Sequence, residues 1–312
     1  MNLFEDLGEV KNNEELANLQ KKFPAYDISY IYQAADTSRR KAKEWMEELW
    51  RQYEPYADTQ FLNDFKKQFT QRSWELYLGA TLLNRGFKLG KHISSGPDFD
   101  LRSGENKRLA WIEAVAAEKG SGSDKVPDIV YGTVQNVPEE AMLLRIANVL
   151  DKKFKKYQAK LTSGIVKENE PYVIAVNRSA IEHVEPGLPL ILKSLFGIGH
   201  LTLPIKSIRQ ENPESFWSSR PTIGKRSGKD VPMLFFEDEA HSGISAVIYC
   251  IDSILNSPRS PEEMGENFII VHNPLAKNSL PYGFFSFGEE WASNGYGYIN
   301  KIRERKNWNK PD

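Results

Sequence analysis

The stretch from residue 74 to residue 115 constrains the fold more than any other part of the chain. It opens with an apolar helical pattern that ends at Arg85-Gly86, and a glycine just past the last periodic residue predicts the end of a helix. A Gly-Pro-Asp turn at residues 96–98 leads into a short apolar segment, and a polar connection with one glycine then predicts a hairpin. The run at residues 109–116 is apolar except for Glu113. Helix, strand, hairpin and strand in this order predict an α/β protein.

Three acidic residues in this stretch are the main candidates for chemistry. Glu75 lies on the predicted helix, Asp98 at the start of the first strand and Glu113 within the second. Side chains on one face of adjacent strands lie about 5 Å apart, so Asp98 and Glu113 are expected to share one ion if the hairpin register sets them opposite each other. The sequence alone does not fix that register. A carboxylate in an apolar strand is costly to desolvate unless it is paired or ligates a metal, and hard oxygen ligands suit magnesium or manganese. Without an ion, two such carboxylates are expected to repel each other.

In order and context these residues resemble the PD-(D/E)XK nucleases of the restriction-endonuclease-like fold, over residues 72–177. That family has a helix with a glutamate, a strand with Pro-Asp, a hairpin, a strand with Asp/Glu-x-Lys, a helix and a further strand. The matching parts of this chain are Glu75, Pro97-Asp98, Glu113-Ala114-Val115, a predicted helix at 139–161 and a predicted strand at 172–176. The resemblance implies an α/β fold with a mixed central β-sheet flanked by helices.

The chain departs from the family pattern at Val115, which stands where the family lysine belongs. Because strand side chains alternate, Glu113 and Val115 share one face, and nothing at position 115 supplies a cation there. Lys119 follows the strand and is one candidate replacement. The better candidates form a stripe along the next predicted helix, where relocated lysines are a recognised variation in the resembled family: Arg145, Val149, Lys152 or Lys153, Lys156 and Lys160.

The function that the resemblance implies is metal-dependent hydrolysis of phosphodiester bonds by an endonuclease, in a restriction or phage-defence setting. Asp98 and Glu113 would hold Mg²⁺ or Mn²⁺, and Glu75 would hold a second ion or its water shell. A lysine would orient the nucleophile or stabilise the phosphorus centre, with Lys119, Lys153 and Lys156 as the candidates. The expected partner is nucleic acid, DNA before RNA, and a homodimer remains open.

Each of these assignments has an alternative. Glu75 is equally compatible with an ion pair to Arg72, three residues earlier on the same helix. Glu113 would be structural if it faced water from an edge strand, and the lysines would then form a solvated basic face. The alternative function is a catalytically inactive nucleic-acid-binding protein of the same fold, which Val115 favours. A second rival is an unrelated α/β interaction protein with these acids on its surface.

Net charge and composition limit the partners and the compartment expected for this chain. The formal net charge is −1, so a nucleic acid must meet a local basic patch, and the sequence offers three, at residues 152–160, 225–229 and 301–310. The single cysteine, Cys250, excludes an internal disulfide and fits a reducing compartment. No segment approaches 18 consecutive apolar residues, so we expect a cytoplasmic protein without a membrane span.

The pattern along the chain predicts three regions. Residues 1–70 are polar and helical in period, punctuated by Pro24 and Pro55. Residues 71–180 form the nuclease-like α/β core. Residues 181–312 are a C-terminal elaboration with two apolar strands, at 244–251 and 268–272, and we expect these strands to continue the same sheet because no Ser/Gly-rich linker precedes them.

Overall fold

An eight-stranded β-sheet forms the centre of the protein. The computed structural model describes residues 1–207, 215–294 and 298–308. The strands, numbered along the chain, are β1 (Lys88–Leu89), β2 (Phe99–Arg102), β3 (Arg108–Ala116), β4 (Tyr172–Asn177), β5 (Ile198–Thr202), β6 (Phe216–Ser219), β7 (Thr222–Gly224), β8 (Asp230–Pro232), β9 (Ala246–Cys250), β10 (Ile269–His272), β11 (Glu289–Ser293) and β12 (Ile299–Arg303). The helices are α1 (Asn13–Lys22), α2 (Ile28–Ala35), α3 (Arg40–Tyr53), α4 (Phe61–Phe65), α5 (Phe69–Asn84), α6 (Glu139–Thr162) and α7 (Leu190–Phe196).

The central sheet is mixed, with the strand order β1-β2-β3-β4-β9-β10-β11-β12. The strands β2 and β3 pair antiparallel as a hairpin, whereas β3, β4 and β9 run parallel to one another. A parallel neighbour needs a crossover connection, and α6 lies in the connection from β3 to β4. The α/β class with a mixed central sheet flanked by helices is therefore confirmed. The strands β5 to β8 form two small separate hairpins.

The alternation of side chains along β3 sorts the sheet into two hydrophobic cores. Ala110, Ile112 and Ala114 belong to the core on the side of α3 and α5. Trp111 belongs to the core on the opposite face, which also contains the buried side of α6, and Val115 packs against that core. Glu113 shares this second face, so its carboxylate points toward α6 and not toward α5.

The helix α5 is almost entirely enclosed, because it lies between the sheet on one side and α3 and α4 on the other. Every residue from 73 to 82 is buried, which explains why its pattern is apolar all round instead of amphipathic. A side chain at Gly79 would come within 2.6 Å of the Tyr53 ring, so a glycine is required for this close approach of α3. The approach brings the end of α3 next to Glu75.

The strands β9 and β10, at the two apolar runs in the second half of the sequence, hydrogen-bond into the sheet beside β4. The strands β11 and β12 extend it further. Within the described residues, no helix is long and apolar enough to cross a membrane.

Candidate active site

Glu113 is a buried carboxylate surrounded by ammonium groups from α6. Its side chain is 3% exposed, and the Lys153 Nζ lies 2.7 Å from its Oε1. The Lys160 ammonium donates to its Oε2, and the Lys156 Nζ lies 3.6 Å from Oε1. These three lysines recur at spacings of three and four, so one side of the helix carries them all toward the strand. Lys153 and Lys156, two of the predicted residues, thus meet Glu113, and Lys160 from the same stripe joins them.

The lysines also fix the charge state of Glu113. Burial alone would raise its pKa, but the charges and hydrogen bonds of Lys153 and Lys160 outweigh burial and lower the pKa of Glu113 to about 2. The hydroxyl of Tyr172, at the start of β4, adds a donor 3.4 Å from Oε2. The lysines therefore compensate the burial of Glu113. The sequence predicted these lysines near the phosphate, whereas the structure pairs them with the acid itself.

Asp98 lies next to Glu113 across the hairpin. Phe99 pairs with Ile112, and continuing this antiparallel register by one residue sets Asp98 opposite Glu113. The Asp98 Oδ2 accepts a hydrogen bond of 2.6 Å from the backbone N–H of Ala114. Burial and the negative charge of Glu113 raise the pKa of Asp98 to about 6. Among the described residues, no cationic side chain lies within ion-pair distance of Asp98, so it is the less compensated of the two acids.

Gln71, on α5, hydrogen-bonds to the backbone of β3 beyond the end of β2. Its Oε1 accepts from the Ala116 N–H at 2.7 Å, and its Nε2 donates to the Ala114 carbonyl at 3.4 Å. Together with Asp98, this side chain takes the hydrogen bonds that a longer β2 would have made. Sequence reasoning missed Gln71. The only available signal was its position four residues before Glu75 on the same helix.

Glu75 has different partners from Glu113. The Tyr53 hydroxyl donates to its Oε1 at 2.9 Å, and Arg72 donates to its Oε2 at 2.8 Å. The alternative of an ion pair with Arg72 is thus present in the structure. Burial, followed by the negative charge of Asp98, raises the pKa of Glu75 to about 8 and outweighs the opposing effect of Arg72.

Asp98 and Glu113 open onto a cavity of about 940 Å³. We call it the site cavity. Its wall also contains Lys91 and His92, which sequence reasoning did not single out, together with Arg72, Lys156 and Lys160. Burial lowers the pKa of His92, so its neutral form is favoured. The cavity wall thus combines the adjacent carboxylates of Asp98 and Glu113, and two further carboxylates that pair with Arg72, with four cationic side chains.

The other predicted cations lie elsewhere. The Lys119 Nζ pairs with Asp128 and Glu182, at 3.2 Å each, and does not line the site cavity. Lys152 is exposed, and its neighbour Lys153 has the buried position. Of the three predicted basic patches, the one at residues 152–160 contributes to the cavity wall. Residues 309 and 310 of the C-terminal patch lie outside the described part of the chain.

The donor chemistry at Asp98 and Glu113 fits one divalent ion. Both are hard carboxylates, and Asp98 uses only one oxygen to cap the backbone of β3. The repulsion that raises the pKa of Asp98 is also relieved when a cation binds between them. In residues 1–207, 215–294 and 298–308, however, no three His, Cys, Asp or Glu side chains are grouped so as to hold a metal ion. Protein ligands beyond these two carboxylates would have to be backbone carbonyls, with water completing the shell.

Comparison with known proteins assigns no family to this chain. A scan against protein-family models and searches of curated proteins and of solved structures found no match to this chain.

Proposed function

We propose that this protein is a divalent-metal-dependent nuclease of the PD-(D/E)XK type, which hydrolyses phosphodiester bonds of nucleic acid, DNA before RNA. One observation carries the proposal: Asp98 and Glu113 meet across a hairpin, beside lysines from the following helix, at the wall of an open cavity. The ordered acids occur in the family sequence pattern, and the lysine missing at Val115 has counterparts in Lys153, Lys156 and Lys160.

The roles follow from these contacts. Asp98 and Glu113 would hold Mg²⁺ or Mn²⁺, which when bound supplies a water of lowered pKa and neutralises charge on the phosphate. Lys153 and Lys160 keep the Glu113 carboxylate ionised and oriented. Lys156 has a 62% exposed side chain in the cavity wall, so its ammonium is available to a phosphate oxygen.

The alternative is a catalytically inactive nucleic-acid-binding protein of the same fold. One observation favours it: both carboxylate oxygens of Glu113 already accept hydrogen bonds from lysines. In that case the lysines replace the ion, and the cavity binds phosphate without cleaving it.

The variant Asp98→Asn tests the proposal. Wild-type protein is expected to nick or cut DNA with Mg²⁺ or Mn²⁺ and to be silent in chelator. The variant should lose at least about a hundredfold in rate, the scale expected when a charged group at a reacting centre is removed. It should still fold, because the asparagine oxygen can accept the Ala114 N–H and the repulsion with Glu113 is gone. The rate is measured on supercoiled plasmid and on a labelled RNA.

The control is Glu105→Gln, the same acid-to-amide change at an exposed position in the turn between β2 and β3. It should cleave like wild type. Cleavage that persists unchanged in folded Asp98→Asn protein would mean that the activity comes from another site or another protein. Binding of DNA or RNA without any turnover by wild type would favour the inactive alternative.

A further inference from the structure

Arg72 is enclosed by three carboxylates at one wall of the site cavity. Its Nη1 lies 2.7 Å from Asp58 and 2.8 Å from Glu75, and its Nη2 lies 2.7 Å from Asp64. The Arg72 side chain is 15% exposed, and that of Glu75 is 4% exposed. Arg72 also packs over the ring of Phe61, 5.3 Å from its centroid. A guanidinium suits this position because its planar, fixed donors can bond several carboxylates at once.

The three acids reach Arg72 from different parts of the chain. Glu75 is one turn further along α5, whereas Asp58 precedes α4 and Asp64 lies within it. Arg72 therefore ties the segment carrying α4 to α5, and both parts contribute to the cavity wall. The second oxygen of Glu75 accepts the Tyr53 hydroxyl, so both oxygens of this carboxylate have protein donors.

Glu75 is also separated from the cavity that contains the other two acids. Asp98, Glu113 and Arg72 line the site cavity, but Glu75 does not. An ion that used Glu75 would have to displace a buried, hydrogen-bonded guanidinium. Breaking such a pair by removing one partner is strongly destabilising, because the other charge stays buried without compensation.

We propose that the Arg72 guanidinium is a built-in second cation of this site, so that the site takes one divalent ion, at Asp98 and Glu113, and none at Glu75. This inference rests on the proposed function and makes it more specific. Glu75 is then a positioning residue that holds Arg72, and not a metal ligand. The guanidinium occupies this end of the cavity permanently, with its charge balanced by its carboxylate partners, whereas an ion would have to be bound from solution.

The experiment is Mn²⁺ binding to the purified protein, measured by electron paramagnetic resonance of free Mn²⁺ and by calorimetry. Wild type should bind one ion, Asp98→Asn should bind none, and Glu75→Gln should still bind one with an affinity within about threefold of wild type. The effect on affinity is small because Glu75 does not line the site cavity and Arg72 keeps its ion pairs with Asp58 and Asp64. The control Glu105→Gln should bind one ion, and circular dichroism checks that each variant is folded.

Two ions bound to wild type would overturn the inference while leaving the nuclease proposal intact. Loss of the ion in folded Glu75→Gln protein would overturn it in the same way, since Glu75 would then be a ligand. No ion bound to wild type at millimolar Mn²⁺ would overturn it together with the metal-dependent function. The wild-type count needs no substitution, so the inference stays testable even if Glu75→Gln does not fold.

Discussion

Glu113 and Glu75 are both buried glutamates beside Asp98, but the groups around them differ in kind. Glu113 lies at the cavity wall and is held by flexible lysines, two of them also in that wall. Glu75 lies behind the wall and accepts one hydrogen bond from the Arg72 guanidinium and one from the Tyr53 hydroxyl. Burial raises the pKa of Glu75 to about 8, whereas lysine charges overcome burial and lower the pKa of Glu113 to about 2.

In the proposed nuclease, position relative to the cavity, and not the presence of an acid in the sequence pattern, separates an acid at the reacting centre from a structural one. A lysine ammonium has rotatable donors on a flexible stem, so it can turn from a carboxylate to a substrate phosphate. A guanidinium shared by three carboxylates has no such freedom. In the proposed reaction the lysines can therefore change partners, whereas Arg72 holds the cavity wall in one arrangement.

Removing Glu113 is expected to give the largest loss of stability. In Glu113→Ala the Lys153 ammonium, whose side chain is 10% exposed, stays buried without its carboxylate. Breaking such a buried pair costs about 3–5 kcal/mol in the free energy of unfolding. Urea denaturation at pH 7 measures this loss of stability. The loss should shrink as the pH falls from about 4.5 toward 2, because Glu113, whose folded pKa is depressed, contributes stability only while it is ionised. A loss below about 1 kcal/mol would show that the lysines do not depend on Glu113.

In Glu75→Gln, the change in the free energy of unfolding is expected to depend on pH in the opposite direction from that in Glu113→Ala. The folded pKa of Glu75 is raised, so between about 4.5 and 8 the folded state keeps a proton that the unfolded state releases. Wild-type stability therefore falls in this range as the pH rises, by up to about 1.4 kcal/mol per pH unit from this one group. The glutamine variant lacks the titration, so its stability relative to wild type should increase from pH 5 to pH 8. Urea midpoints measured across that range check it, and a difference independent of pH would mean that Glu75 is ionised like Glu113.

The sequence was sufficient for the local parts of this site. The two acids were predicted to lie on neighbouring strands, and the spacing along α6 predicts that its lysines form one stripe. The register that sets Asp98 opposite Glu113 came from the structure. Which lysine reaches Glu113 was not predictable, because Lys152 and Lys153 differ only in how the helix is rotated against the sheet, and distant packing sets that rotation. For Glu75, the sequence offered Arg72, three residues earlier on the same helix, as an alternative partner, and the structure contains this ion pair.

The rest of the site depends on contacts between residues far apart in the chain. Asp58 and Asp64 reach Arg72 from the segment before α5, and Tyr53 reaches Glu75 because Gly79 lets α3 approach closely. Nothing in the pattern around these residues marks them as partners of the acids. Gln71 takes its role only because β2 stops short of Ala114, and sequence reasoning places strand ends poorly.

Lys156→Ala is expected to have the smallest effect on stability. It separates binding of a substrate phosphate from stabilisation of the Glu113 carboxylate. Its side chain is 62% exposed and its Nζ lies 3.6 Å from Glu113, so the free energy of unfolding should change by less than about 0.5 kcal/mol. If its ammonium binds a substrate phosphate, cleavage should still fall by about tenfold, as one charge-assisted hydrogen bond is lost. The control is Lys155→Ala on the same helix, where the lysine pairs with Asp151 and lies outside the cavity wall. Equal cleavage rates for the two variants would mean that Lys156 does not contact the substrate, and the charge that replaces the missing lysine at Val115 would then have to come from Lys153 or Lys160.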